Sequence, residues 1–150
     1  MPVIDSQLVF AEAQAATNHL ADTASTNVYD TGGSNGQGDQ GLSGENLFAV
    51  ATVDTTATSG GAATVQAVLQ DSADNVTFAD VVAGPVVAVA NAVAGTPLLR
   101  VQPPVGMRRY WRVAWRIGTA DLTAGKFTAY LVNALQYNVA RDSGFVADVA

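Results

Sequence analysis

Residues 103–117 read PPVGMRRYWRVAWRI and contain the side chains of this sequence that are best suited to chemistry. Four arginines, one tyrosine and two tryptophans lie within this stretch, although the whole chain has only seven basic residues and a net charge of −6. Arginines beside aromatic rings are typical of single-stranded nucleic-acid platforms, where bases stack on the rings. The same residue types are enriched at the centres of protein–protein interfaces.

Written as a β-strand, residues 110–117 separate their apolar and polar side chains, because successive side chains of a strand point to opposite faces. One face holds the candidate core residues Trp111, Val113, Trp115 and Ile117. The other face holds Tyr110, Arg112, Ala114 and Arg116. A nucleic-acid platform needs rings and arginines on one face, and an acidic chain repels phosphates at long range. A nucleic-acid partner is therefore disfavoured.

The arginine row is instead predicted to be an interface. Guanidinium groups pair with carboxylates in two-point geometry, so the row suits carboxylates of another subunit. The candidate interface residues are Arg108, Arg109, Tyr110, Arg112 and Arg116. The alternative is that these arginines are solvated or bridged to aspartates of their own chain.

Other kinds of chemistry lack their residues. The chain has one histidine, His19, and no cysteine, which leaves most zinc-dependent and nucleophilic mechanisms incomplete. Ala73 stands in DSADN where a calcium loop needs a ligand, and Phe127 follows the lysine of GTADLTAGK where a phosphate loop needs Ser or Thr. A small hydrolase would need a carboxylate pair that the sequence does not reveal. The sequence predicts a protein that is not an enzyme and has no cofactor or metal.

The elements that position the arginine segment are predicted to be strands. The chain has 21 valines and 14 threonines but one lysine and two glutamates, so it is rich in β-branched residues and poor in helix-surface pairs. Short apolar or alternating runs separated by turns follow one another from residue 46 onward, and 150 residues fit one domain. We expect an all-β fold, a jelly-roll-like antiparallel β-sandwich over residues 25–139.

The two ends and one internal stretch fit this sandwich least well. Residues 1–24 are predicted to be an N-terminal arm or to contain a short helix over 8–20, and residues 140–150 a C-terminal arm. The glycine-rich stretch 32–44 is predicted to be a loop. No apolar run approaches the ~20 residues that cross a bilayer, and the start MPVIDSQ does not resemble a signal peptide, so neither a membrane partner nor export is expected.

Several segments resemble, in order, the capsid cement (decoration) proteins of tailed bacteriophages. They are IDSQLVFAEAQA (4–15), STNVYDTG (25–32), DSADNVTFADVV (71–82) and, most specifically, LLRVQPPVGMRRYWRVAWRIGTADLTAGKFTAYLV (98–132). The resemblance implies a jelly-roll sandwich that binds the outside of the phage head as a homodimer or homotrimer and bridges major capsid subunits. It implies a virion protein that is made in the host cytoplasm.

A carbohydrate-binding β-sandwich module, such as an adhesin for host glycans, is the alternative function. It would need Tyr110, Trp111 or Trp115 exposed as a flat platform for a sugar ring. The alternation within residues 110–117 argues against this arrangement, because it turns both indoles toward the core.

Overall fold

Two antiparallel sheets make up the fold in the computed structural model, which describes residues 8–33 and 47–133. Within these residues the strands are β1 (Val9–Ala15), β2 (Thr23–Ala24), β3 (Tyr29–Asp30), β4 (Phe48–Thr58), β5 (Thr64–Ser72), β6 (Ala79–Ala83), β7 (Val87–Ala88), β8 (Pro97–Val101), β9 (Tyr110–Gly118) and β10 (Ala124–Val132). The one helical element described between them is a 3-10 turn at Val89–Asn91. No helix in the described part of the chain is long and apolar enough to cross a membrane.

The strand order is that of a jelly roll. One sheet has four strands in the order β1-β10-β4-β8, and the other has six, with β2-β9-β5-β6 as its main path. The short strands β2 and β3 both pair with β9, and β6 and β7 both pair with β5, so each pair acts as one interrupted strand. The fold then reduces to eight strands in two sheets, as the sequence predicts.

The core lies between the sheets and draws on both of them. The four-stranded sheet supplies Phe10, Val53, Phe127 and Leu131, and the six-stranded sheet supplies Val65, Leu69 and the apolar residues of β9. On β9 and β10 these residues alternate with outward-facing neighbours, which is the pattern of a half-buried sheet. The side chain of Trp115 stacks on Phe127, with ring centroids 5.3 Å apart, and so joins β9 to β10 across the core.

The prediction of a helix over residues 8–20 is wrong, and the sandwich begins well before residue 25. Val9–Ala15 form β1, an edge strand of the four-stranded sheet that pairs with β10. The register of this pairing shifts twice, and Ala13 adopts a positive φ of 46°, so regular alternation is lost. Because the two neighbours Phe10 and Ala11 are both buried, the segment shows no strand period in the sequence.

The remaining parts of the predicted arms lie outside the described residues. They are residues 1–7 at the N-terminus and the tail 140–150. Most of the glycine-rich stretch 32–44 and the last part of the predicted sandwich, residues 134–139, are also outside the described ranges.

Candidate interaction surface

Strand β9 carries the core and the candidate interface on its two faces. The structure places Trp111, Val113, Trp115 and Ile117 in the core, each no more than 3% exposed. Both indole N–H groups have acceptors: Trp111 Nε1 donates to the carbonyl of Arg108 at 2.7 Å, and Trp115 Nε1 donates to Gln14 Oε1 at 3.1 Å. The tryptophans are thus fixed inside the sandwich and offer no platform for a base or a sugar.

The opposite face of β9, together with β5 and β6, forms the outer surface of the six-stranded sheet, which we call the arginine face. Its centre is an apolar row of residues paired across the strands: Ala24, Ala114, Val68 and Ala83. Val68 and Ala114 are fully buried although they point away from the core. Polar residues of the arginine face border this row on both sides. They are Arg112, Gln70 and Asp80 on one side, and Asp22, Arg116 and Gln66 on the other.

Arg116 is paired within its own chain. Its Nε and Nη2 atoms donate to the carboxylate of Asp22 at 3.0 and 2.6 Å, and Nη2 also donates to Asp80 Oδ2 at 2.9 Å. The two carboxylates raise the pKa of the Arg116 guanidinium. The pKa of Asp80 is lowered, first by the hydrogen bond from Gln70 and then by Arg116. Asp80 therefore stays charged at neutral pH, and the two carboxylates together hold Arg116 in place.

Arg112 has different surroundings. Its Nε donates to Gln70 Oε1 at 2.8 Å, and its Cζ lies 3.8 Å from the ring centroid of Phe78. No carboxylate of the described residues forms an ion pair with it. Burial lowers the pKa of the guanidinium, and the charge of Asp22 opposes this effect. Gln70 in turn donates to Asp80 Oδ1 at 2.7 Å, which connects Arg112 to the Arg116 cluster.

Arg108 and Arg109, at the entry to β9, are also paired within the chain. Nε and Nη2 of Arg108 donate to Asp71 Oδ1 at 2.9 and 2.6 Å, and its backbone N–H donates to Oδ2 of the same carboxylate. Arg109 forms a two-point pair with Asp30 at 2.7 and 2.9 Å, and its guanidinium lies 5.0 Å from the ring centroid of the half-buried Tyr110. The predicted uniform row is thus divided. Three arginines are bridged to aspartates of their own chain, which was the alternative interpretation, and Arg112 is not bridged to any aspartate within residues 8–33 and 47–133.

The other residues considered for chemistry have structural surroundings. Asp74 accepts hydrogen bonds from the backbone N–H groups of Thr77 and Val76 and from the Ser72 hydroxyl, and these bonds lower its pKa to about 2. His19 lies at the opposite end of the sandwich, where its Nδ1 is 2.6 Å from Asp121 Oδ1. No group of three metal-binding side chains occurs among the described residues.

The partners of the arginines could not be identified from the sequence. Phe78 and Gln70 belong to other segments of the sequence, and no spacing links them to Arg112, which lies 34 and 42 positions away. The strand pairing of β5 with β9 and β6 brings them together. An alternation of glutamine with apolar residues in β5 was the one available signal, since it marked the outward face on which Gln66 and Gln70 lie.

Comparison with models of protein families gives a match. The model of the family Bbp16 matches residues 10–131, which is most of the chain. The match begins in β1 and ends in β10, so it takes in every strand described for both sheets. No curated protein matches the chain.

Proposed function

Because the chain belongs to the Bbp16 family, a family of phage proteins, we propose that it is a capsid cement protein that binds the outside of the phage head. The observation that carries the proposal is the extent of the match, since it covers the sandwich from β1 to β10. The most specific segment of the resemblance to cement proteins, residues 98–132, falls in the same sandwich and comprises β9, β10 and most of β8.

The arginine face supports a role in binding. Its charged side chains are held by one another before any partner arrives, through Arg116 with Asp22 and Asp80, and through Gln70 with Arg112. Fewer side chains then lose freedom on association, so more of the interaction free energy appears as affinity. A surface of this kind suits a protein that acts by adding contacts between subunits and not by catalysis.

The partners in this proposal are the major capsid protein and further copies of the chain. Capsid positions shared by neighbouring subunits have two-fold or three-fold symmetry, so a homodimer or homotrimer would match them. Each protomer would bridge adjacent capsid subunits and raise the cost of separating them. The protein would be made in the host cytoplasm and bind there to assembled heads, becoming part of the virion exterior.

Co-sedimentation with heads that lack this protein tests the proposal. We expect saturable binding with a fixed number of copies per head, and a higher temperature of head disruption once the sites are filled. Protein that remains in the supernatant at every ratio, with heads whose disruption temperature is unchanged, would contradict the proposed function.

A further inference from the structure

We infer that Arg112 is the anchor of this protein on the phage head and that it receives the carboxylate of an aspartate or glutamate side chain of the shell. The inference rests on the proposed function and narrows it to one residue and one kind of partner group. Arg112 is thereby given a different role from Arg108, Arg109 and Arg116, although the sequence alone treats the four arginines alike.

The Arg112 guanidinium has hydrogen-bonding capacity that the described residues do not use. A guanidinium has five N–H donors, of which four belong to Nη1 and Nη2. The Nε donor of Arg112 is bound to Gln70, but its Nη1 and Nη2 groups have no hydrogen-bond acceptor among the described residues. No buried side-chain nitrogen or oxygen in the described part lacks a partner, so these two groups reach the surface. They form the end of the guanidinium that pairs with a carboxylate through two parallel bonds.

The orientation of the Arg112 guanidinium is fixed before any partner binds. The guanidinium Cζ lies over the Phe78 ring, 3.8 Å from its centroid, and Gln70 accepts a hydrogen bond from Nε. Gln70 is itself only 6% exposed and is bound to Asp80, which Arg116 holds from the other side. The Arg112 side chain therefore loses less conformational entropy on binding than a free surface arginine would.

The surroundings of the Arg112 guanidinium are of low polarity. Arg112 lies next to the fully buried Val68 and Ala114 in register and under the ring of Phe78. A charge pair formed in such surroundings is stronger than the same pair in open solvent. The half-buried Arg112 cation has no carboxylate partner among the described residues, so a carboxylate of the shell would stabilise it as the aspartates stabilise its three neighbours.

The surroundings favour one carboxylate over a nucleic-acid backbone. Asp22 and Asp80 lie on the same face, and the whole chain has a charge of −6. A phosphate backbone would bring a series of negative charges past these carboxylates toward the guanidinium of Arg112. One acidic side chain, inserted between the neighbours of Arg112, avoids that repulsion.

Binding of variants to heads that lack this protein provides the test. Arg112→Leu removes the donors, Arg112→Lys keeps the charge without the fork, and Phe78→Leu keeps the arginine without its stacking ring. Lys126→Gln is the matched control, because it removes one positive charge from an exposed position on the four-stranded sheet. We expect Arg112→Leu to weaken binding by roughly 10-fold or more, as for loss of a charged hydrogen-bonded pair, and the other two variants to fall between it and the parent. Lys126→Gln should bind as the parent does.

A second arm uses the unchanged protein, so it does not depend on the folding of any variant. Heads whose surface carboxylates have been converted to neutral amides should bind the parent as weakly as untreated heads bind Arg112→Leu. Suppose that the parent binds untreated heads. If Arg112→Leu then binds equally well, or if amidation has no effect, the inferred role of Arg112 is wrong while the proposed function stands. If the parent does not bind untreated heads, the proposed function fails and the inference fails with it.

The remaining outcomes also overturn the inference. A loss of head binding by Arg112→Leu that is accompanied by a fall to the monomer mass in solution would assign the carboxylate to a sister copy of the chain. Retention of the parent, but not of Arg112→Leu, by single-stranded DNA at physiological salt would assign the site to phosphate.

Discussion

Trp115 of β9 stacks on Phe127 of β10, with ring centroids 5.3 Å apart and an angle of 30° between the planes. Both side chains are fully buried, and the two strands belong to different sheets. The contact fixes the spacing of the sheets beneath the arginine face, since Arg116 and Ala114 are the immediate neighbours of Trp115. The geometry of the candidate interface thus depends on the core under it.

Trp115→Ala is expected to lower the free energy of unfolding by ~3–5 kcal/mol, because it removes a buried aromatic side chain and leaves a cavity against Phe127. Denaturant unfolding followed by circular dichroism measures the change. Val105→Ala is the control: Val105 is 98% exposed, so its truncation should change stability by no more than ~0.5 kcal/mol. An equally small effect at Trp115 would contradict the packing described here.

Arg108→Gln is expected to destabilise the fold by ~1–3 kcal/mol, the cost of leaving a buried polar group without its partner. The Asp71 side chain is only 9% exposed, and three of its hydrogen bonds come from Arg108, two of them from the guanidinium. Arg109→Gln is the comparison, because its partner Asp30 is 44% exposed and water can replace the lost bonds. Unfolding curves of equal midpoint for the two variants would show that Asp71 does not depend on Arg108.

Acid is expected to destabilise the protein partly through Asp74. The backbone N–H groups of Thr77 and Val76 lower the pKa of this carboxyl from 3.8 to about 2. Because the folded-state pKa is the lower one, the contribution is complete above about pH 4 and is lost as the pH falls toward about 2. In Asp74→Asn the unfolding free energy should depend less steeply on pH across that window than in the parent, and the two slopes should be the same at neutral pH. Identical slopes throughout would contradict the assignment.

Deletion of residues 1–15 is expected to abolish cooperative folding. It removes β1, with the buried Phe10 and Ala11, and exposes the edge of β10 to which β1 is paired. Thermal melting followed by circular dichroism distinguishes this result from the behaviour of an arm. A truncated chain that melts cooperatively with a native-like β spectrum would mean that β1 is dispensable.

The sequence sufficed to predict elements whose alternation is uninterrupted. Residues 110–117 alternate without a break, and the structure places their two faces as the pattern predicts. Strand β4 shows the limit of this approach. Its second half, through Thr58, contains exposed threonines that the sequence alone does not assign to a strand rather than a turn, yet Thr55 pairs with Lys126 of β10. Threonine is favoured in both strands and turns, so only the pairing partner decides.

The candidate site was less predictable than the fold, because its contacts join residues that are distant in the chain. Arg116 meets Asp22 across 94 positions, and Arg108 meets Asp71 across 37. Each pair forms only once the strands are in register, and nothing in the local sequence selects one aspartate over another. Arg112 differs from its neighbours because glutamine lies opposite it on β5 and phenylalanine covers it, which is a property of the fold and not of its own segment.

The central claim, that the protein is a structural component of the outside of the phage head, is tested most directly by comparing electron cryomicroscopy maps of heads that carry the protein with maps of heads that lack it. We predict difference density on the outer surface, shaped as a two-sheet sandwich, that touches two neighbouring capsid subunits and presents the arginine face to the shell. Difference density confined to the tail or the head interior, or no difference at all, would contradict the claim.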